Sequence, residues 1–259
     1  MKNFFNPLLS ITFCISFCSF RLDAMERKEV PSLKEIAARA TLKHTIDYQA
    51  ANLPQELKHF VGAQGALIAN NNNPQKALFE AARRGHAHLI YDLLAAGAHI
   101  DTYFIAPEPR LNEEHGMTPL MIAAREGHVE TLRELVRCGA NVNRPSATPR
   151  WYGGPSTPIM YAIRRRHLPA VQALVDLGAD INQHVLQEDG TNGTTPLIAA
   201  TGDVRIARFL LQHGANANAG YDDGHDHWVS PLFIAQRIIS DAAPQHQLLF
   251  LLGAYGARD

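Results

Sequence analysis

Residues 116–143, GMTPLMIAAREGHVETLRELVRCGANVN, decide the fold of this chain. Thr118 can cap a helix because its hydroxyl accepts a hydrogen bond from a free backbone amide, and Pro119 fits the first helical position. A second helix is predicted after the Gly-His break at 127–128, since apolar residues then recur at spacings of three and four. Gly139 ends this helix because glycine tolerates the left-handed backbone conformation. The stretch therefore predicts two helices joined by a short loop and closed by a turn.

The same pattern recurs along the chain. Four segments begin with a Thr-Pro or Ser-Pro pair, and their prolines lie 39, 38 and 35 residues apart. Each segment continues through a second apolar stretch to a Gly-Ala pair, and an earlier copy over Ala77–Asp101 lacks only the Thr-Pro start. Repetition at a period of about 20–50 residues is the signature of a stacked-repeat protein. The four prolines are Pro119, Pro158, Pro196 and Pro231.

These residues resemble the ankyrin repeat, with its Gly-x-Thr-Pro-Leu start, its Ala-Ala and Gly-His middle and its Gly-Ala-x-x-Asn end. The resemblance covers roughly residues 75–259. It implies an all-α solenoid of about five helix–loop–helix repeats with elongated hairpin loops. Two departures stand out. The fourth repeat is short between its helices, at 199–203, and the histidine that follows Pro-Leu in the family is replaced by Met121, Met160, Ile198 and Phe233.

The N-terminus has the pattern of a targeting segment. Lys2 precedes an uncharged, mostly apolar run over residues 4–20, and Arg21 ends the run. A basic start followed by a short apolar core is typical of a secretory signal peptide. We therefore expect residues 1–24 to be a signal peptide and the protein to be exported or secreted. The alternative is an uncleaved membrane anchor, and only in that case would the protein contact a membrane.

Residues 25–69 form a separate segment, followed by a linker at 70–74. A capped helix is predicted over Pro31–Arg39, and a second helix begins at Leu53–Leu57 with the sequence Leu-Pro-Gln-Glu-Leu. One interpretation is an N-terminal helical cap, because a solenoid needs its first apolar face covered. The segment also resembles the box with which suppressor-of-cytokine-signalling proteins recruit elongin and a cullin ubiquitin ligase, and its second part looks like the start of an F-box.

The loops between the repeats are longer than those of the family and carry most of the candidate binding residues. Insertions in a solenoid fall on one face, which is often the binding face. Both tryptophans of the chain lie in these loops. Exposed Trp, Tyr and Arg side chains are enriched among interface hot spots. The alternative is that these rings cover the apolar stems of their own loops. The candidate partner-binding residues are Tyr103, Phe104, Arg150, Trp151, Tyr152, Tyr221 and Trp228.

Composition and motifs favour a binding protein over an enzyme. The formal net charge of −1 argues against a dedicated nucleic-acid binder. We find no phosphate-binding glycine loop, nucleophile elbow or zinc-protease helix, so we predict no catalytic residue and no cofactor. The acidic, histidine-bearing stretch over Asp222–His227 is interpreted as a solvated turn in preference to a metal site, and a metal-dependent enzyme at this loop is a further alternative. The predicted function is protein–protein interaction through the loops and the concave helical face. The alternative is a substrate adaptor for a ubiquitin ligase, acting as a secreted bacterial effector.

Overall fold

The computed structural model describes residues 66–67, 70, 72–106, 113–148, 154–185, 194–222, 228–237 and 243–258. The predicted signal segment and nearly all of the N-terminal segment at 25–69 lie outside these ranges. No helix in the described ranges is long and apolar enough to cross a membrane.

Ten helices in the described part of the chain form five consecutive pairs. The first helices of the pairs are α1 Pro74–Arg84, α3 Pro119–Glu126, α5 Pro158–Arg164, α7 Pro196–Ala199 and α9 Pro231–Arg237. The second helices are α2 Ile90–Ala95, α4 Val129–Arg137, α6 Leu168–Asp176, α8 Val204–Gln212 and α10 Ala243–Ala254. Short 3-10 turns at Ala87–Leu89 and Ala200–Gly202 precede α2 and follow α7. Two short antiparallel strands, β1 Tyr221–Asp222 and β2 Trp228–Val229, form a hairpin before α9.

The helix pairs stack in chain order. Each first helix packs against the next first helix, and each second helix packs against the next second helix. The core lies between and within these two layers, where the large apolar side chains of the central repeats are fully buried. The predicted all-α solenoid of five repeats is confirmed. Representative core residues are Leu120, Met121, Leu135, Ile159 and Leu174.

Polar side chains cap four of the five first helices, all except α5. The Thr118 hydroxyl accepts a hydrogen bond from the amide of Met121 at 3.4 Å, and the Thr118 amide donates to Met121 Sδ at 3.3 Å. Methionine therefore supplies a weak acceptor where the family has histidine. In the first repeat, the Asn73 side chain caps α1 by accepting from the amide of Lys76 at 3.0 Å. As a result α1 begins at Pro74, one residue before the predicted start of the repeats.

A glycine and a histidine lock neighbouring repeats together at the end of the first helices. Gly85 and Gly127 have φ values of +75° and +80°. A Cβ atom at these positions would lie 2.8 Å from the ring of His128 or His167, one repeat further on. His128 Nε2 also lies 2.9 Å from the carbonyl oxygen of Arg83. Each histidine ring thus occupies the space that the preceding glycine leaves free.

Candidate interaction surface

The loops that join successive repeats lie side by side and form one edge of the stack. We call this edge the hairpin edge. The amide of Ala147 in the second loop donates to the carbonyl of Gly116 in the first at 2.8 Å. Gln183 Nε2 in the third loop donates to the carbonyl of Asn143 in the second at 3.0 Å. The hairpin edge consists of residues 98–106, 113–118, 140–148, 154–157, 179–185, 194–195, 215–222 and 228–230.

Asparagine and aspartate side chains form a ladder that fixes the spacing of this edge. Asn143 Nδ2 donates to the carbonyl of Gly178 at 3.2 Å, and Asn143 Oδ1 accepts from the amide of Asp180 at 2.8 Å. Each side chain therefore satisfies backbone groups of the next repeat. This role was not predicted from the sequence, although an Asn or Asp follows the Gly-Ala pair of each of the first four repeats. Further rungs join Asn182 to Gly214 and Asn216, Asn218 to Gly256 and Arg258, and Asp101 to Asn141.

Tyr103 ties the first loop to the second. Its hydroxyl donates to the carbonyl of Pro145 at 2.9 Å and accepts from Arg144 Nε at 3.0 Å. The Arg144 guanidinium carbon also lies 4.7 Å from the centroid of the Tyr103 ring. The half-buried side chain of Tyr103 therefore holds neighbouring loops together, as the self-packing alternative expects.

Phe104 packs inward, while its neighbour Ile105 points to solvent. The Phe104 ring meets Phe79 of α1 edge to face, with centroids 5.1 Å apart. The segment is extended and pairs with the chain before α3. The Phe104 amide donates to the Met117 carbonyl at 2.7 Å, and the Gly116 amide donates to the Phe104 carbonyl at 2.8 Å. Successive side chains of extended backbone point to opposite sides, so Ile105 is 70% exposed. Ile105 was not among the binding residues predicted from the sequence, although this alternation would have identified it as exposed.

Trp228 is the most exposed of the predicted site aromatics that the structure describes. It is 57% exposed, and it lies on β2 beside the half-buried Tyr221 of β1. One side of the indole covers Gly220, where a Cβ atom would lie 2.7 Å from Trp228 Nε1 and 2.5 Å from the carbonyl oxygen of Val229. The ring therefore packs on Gly220 with one side, and more than half of the residue's surface stays exposed.

A buried polar cluster supports the second loop from below. Tyr161 of α5 donates its hydroxyl proton to Ser146 Oγ at 3.0 Å, and its oxygen lies 2.9 Å from Thr148 Oγ1. Ser146 Oγ also accepts from the amide of Ser156 at 3.0 Å. These bonds anchor both described arms of the loop. The three site residues predicted at its tip, Arg150, Trp151 and Tyr152, lie outside the described residues.

Two glutamates of the first loop reach the arginines at the ends of the first helices. The buried Glu114 accepts from Arg83 Nε at 3.1 Å and pairs with Arg125 at 3.4 Å. Glu113 pairs with Arg125 at 3.0 Å and with Arg165 at 3.1 Å. The hydrogen bond to Glu114 is the main cause that raises the pKa of Arg83 above its usual range. The loop therefore neutralises helix-end arginines in the first three repeats.

Comparison of the sequence with known families agrees with the structure, which has stacked helix pairs, glycine–histidine contacts and an asparagine ladder. A family model described as "Ankyrin repeats (3 copies)" matches residues 48–146 and 148–221, more than half of the chain. The chain belongs to the ankyrin-repeat family. Its fifth ankyrin pair, α9 and α10, lies beyond the matched ranges. A search of curated proteins found no match.

Ankyrin repeats are protein interaction modules, and binding to another protein is the activity that this family indicates. In the described part of this ankyrin chain, no group of three or more His, Cys, Asp or Glu side chains could hold a metal ion. The central residues of the predicted solvated turn, 223–227, lie outside that part. Every described residue that was predicted to bind a partner lies on the hairpin edge, so this edge is the candidate interaction surface of the stack.

Proposed function

We propose that this ankyrin chain is a non-enzymatic binding module whose partner protein docks on the hairpin edge. The observation that carries the proposal is the exposed Trp228 ring on a rigid support. Tryptophan is among the residue types most enriched at interface hot spots. Ile105 adds a second exposed apolar side chain on the same edge. Arg150, Trp151 and Tyr152 extend the proposed contact, while Tyr103 and Phe104 support it from within.

The adaptor role is a second proposal and rests on the sequence of the N-terminal segment. The box-like stretches at Pro31–Arg39 and Leu53–Leu57 would recruit elongin and a cullin-type ligase. The ankyrin match begins at Tyr48 and so includes the second stretch. This supports a repeat-like cap at Leu53–Leu57 in preference to a ligase box. Export through the signal segment, and a role as a bacterial effector, rest on Lys2 and the apolar run at 4–20.

Replacing Trp228 with alanine is expected to weaken partner binding by about 2 kcal/mol, or roughly thirtyfold in Kd. The partner is first identified by affinity capture and mass spectrometry, which also shows whether elongin or cullin is retained. Binding is then measured by calorimetry. The matched control is Tyr91→Ala, because Tyr91 is 64% exposed but lies on α2, away from the hairpin edge.

The control should leave both affinity and stability nearly unchanged. Trp228→Ala should also leave the melting temperature nearly unchanged, because the stability of a repeat protein comes mainly from its packed helices. A larger loss of affinity for Tyr91→Ala than for Trp228→Ala would place the contact on the second helices. Equal affinity of Trp228→Ala and the unmodified protein would refute the role of the ring.

A further inference from the structure

The fourth repeat is shortened where the other repeats carry their glycine–histidine lock. From Pro196 to Asp203 the chain advances 7 residues, against 9 from Pro158 to His167. Helix α7 ends after one turn and continues as the 3-10 turn Ala200–Gly202. This helix and turn pack between α5 and α9. The shortened turn therefore lies between the C-terminal ends of two longer first helices.

Arg166 adopts an unusual backbone conformation beside this turn. Its φ is +60°, at the position where the first two repeats have Gly85 and Gly127. A side chain fits here because the fourth repeat has Asp203 in the place of His128 and His167, whose rings lie against the glycines of the first two repeats. Arg166 Nη2 lies 3.9 Å from the site of a Cβ atom on Gly202, so the guanidinium reaches the shortened turn.

The strain at Arg166 has a cost that glycine would avoid. A non-glycine residue in the left-handed region costs about 1–2 kcal/mol. Backbone strain of this kind clusters at binding and switch sites, where the retained side chain has a use. The Arg166 side chain is exposed, and it makes no hydrogen bond or ion pair to another described residue that would offset the cost. Arg166 is therefore a candidate binding residue and not a packing residue.

Charge distinguishes this region from the first two repeats. Arg83 and Arg125 are engaged by glutamates, whereas Arg164 and Arg166 have no carboxylate within ion-pairing distance in the described part of the chain. Arg164 keeps exposed surface, although partial burial of its guanidinium lowers its pKa below the usual range, and its guanidinium carbon lies 5.9 Å from the centroid of the Tyr161 ring. On the other side of the turn, the exposed Arg237 lies 4.8 Å from the Phe233 ring centroid and likewise has no carboxylate among the described residues.

The aspartate of the turn does not compensate for these charges, because it is already engaged. Asp203 pairs with Arg205 at 3.1 Å and accepts from the amides of Arg205 and Ile206. Burial alone would raise the pKa of Asp203, but these hydrogen bonds lower it, and the carboxylate stays ionised and bound to Arg205. Arg164 and Arg166 at the end of α5 and Arg237 at the end of α9 thus have no carboxylate of their own in the described structure.

We propose that Arg164, Arg166 and Arg237 form a docking site for an acidic segment of the partner protein, rich in aspartate and glutamate. Guanidinium groups bind carboxylates through paired, charge-assisted hydrogen bonds, and several at the ends of neighbouring helices suit a run of carboxylates. The site rests on the proposed binding function and adds to it the chemistry of the partner. It lies at the ends of the first helices and uses none of the exposed rings of the hairpin edge.

A fluorescein-labelled decaglutamate peptide serves as the probe, with binding followed by fluorescence anisotropy at low salt. We expect the double variant Arg164→Gln/Arg166→Gly to bind the peptide at least about tenfold more weakly than the unmodified protein. The control Arg133→Gln/Arg208→Gln removes the same charge from exposed positions on α4 and α8 and should change the Kd less than about twofold.

Stability measurements separate a binding role from a structural one. Arg166→Gly introduces the glycine that the first two repeats have at this position, so its midpoint of urea unfolding should equal or exceed that of the unmodified protein. If this variant instead fails to fold, Arg166 is a structural residue and the proposal is overturned for it. The variant Arg164→Gln/Arg237→Gln then applies the same binding test to the other two arginines.

Three results would overturn the proposal. The peptide could fail to bind the unmodified protein at low salt. The control variant could lose as much affinity as the test variant, which would indicate unspecific attraction. A single-stranded oligonucleotide of equal charge could bind more tightly than the peptide through the same arginines, which would indicate a nucleic-acid site. None of these results affects the Trp228 experiment, which uses the captured partner, so failure here is distinguishable from failure of the hairpin-edge proposal.

Discussion

Replacing Gly116 with alanine is expected to lower the free energy of unfolding by about 3 kcal/mol. Gly116 has a φ of +81°, and an added Cβ atom would lie 2.4 Å from the backbone carbonyl of Ala147. Backbone atoms of the neighbouring loop cannot rotate away as a side chain would. The substitution should therefore push the first two loops apart and break the 2.8 Å hydrogen bond that joins them. Urea unfolding followed by circular dichroism measures the loss.

Gly139→Ala is the matched control for this prediction. Gly139 has a φ of +98°, but no atom lies within 4 Å of its Cβ position. It should therefore show only the backbone strain, about 1–2 kcal/mol. Equal destabilisation by the two variants would mean that the loop contact at Gly116 contributes nothing to the stability of the stack.

The double variant Asn143→Ala/Asn182→Ala is expected to destabilise the protein by about 3 kcal/mol. Asn143 and Asn182 each make two hydrogen bonds to the backbone of the next repeat; for Asn182 the partners are the Gly214 carbonyl at 3.1 Å and the Asn216 amide at 2.8 Å. Their loss uncouples the second loop from the third and the third from the fourth. Differential scanning calorimetry should show a lower melting temperature and a broader transition, because coupling between repeats carries the cooperativity of a solenoid.

The variant Asn143→Gln/Asn182→Gln tests whether the ladder depends on side-chain length or only on side-chain polarity. Its amide carries the same groups one methylene further out, where they no longer match the backbone of the next repeat. The glutamine variant should therefore be nearly as unstable as the alanine variant. Near-normal stability with glutamine would show that the ladder needs only polar side chains.

Helices could be predicted from the sequence because their signals are local. Thr118 and Pro119 start a helix, and Gly139 ends one, whatever the rest of the chain does. The periodic apolar residues between them identify the buried face. Repetition of these signals then gives the number of repeats, and the structure has the same five pairs.

Side chains whose roles depend on the neighbouring repeat were harder to predict. Phe104 is aromatic and lies in a loop, yet it packs inward because Phe79 of the first helix is beside it. Tyr103 is bound by Arg144, 41 residues further along the chain. Trp228 is half-exposed because Gly220 seats one side of its ring. In each case the deciding partner lies in another element, and composition alone could not choose between binding and packing.

Hydrogen–deuterium exchange of the protein with and without its captured partner tests the central claim most directly. We expect protection to appear in the hairpin-edge segments 98–106, 140–148, 215–222 and 228–230, and at the end of α5. The second helices α4, α6 and α8 should exchange at the same rate in both samples. Protection confined to those second helices, with the hairpin edge unchanged, would contradict the account.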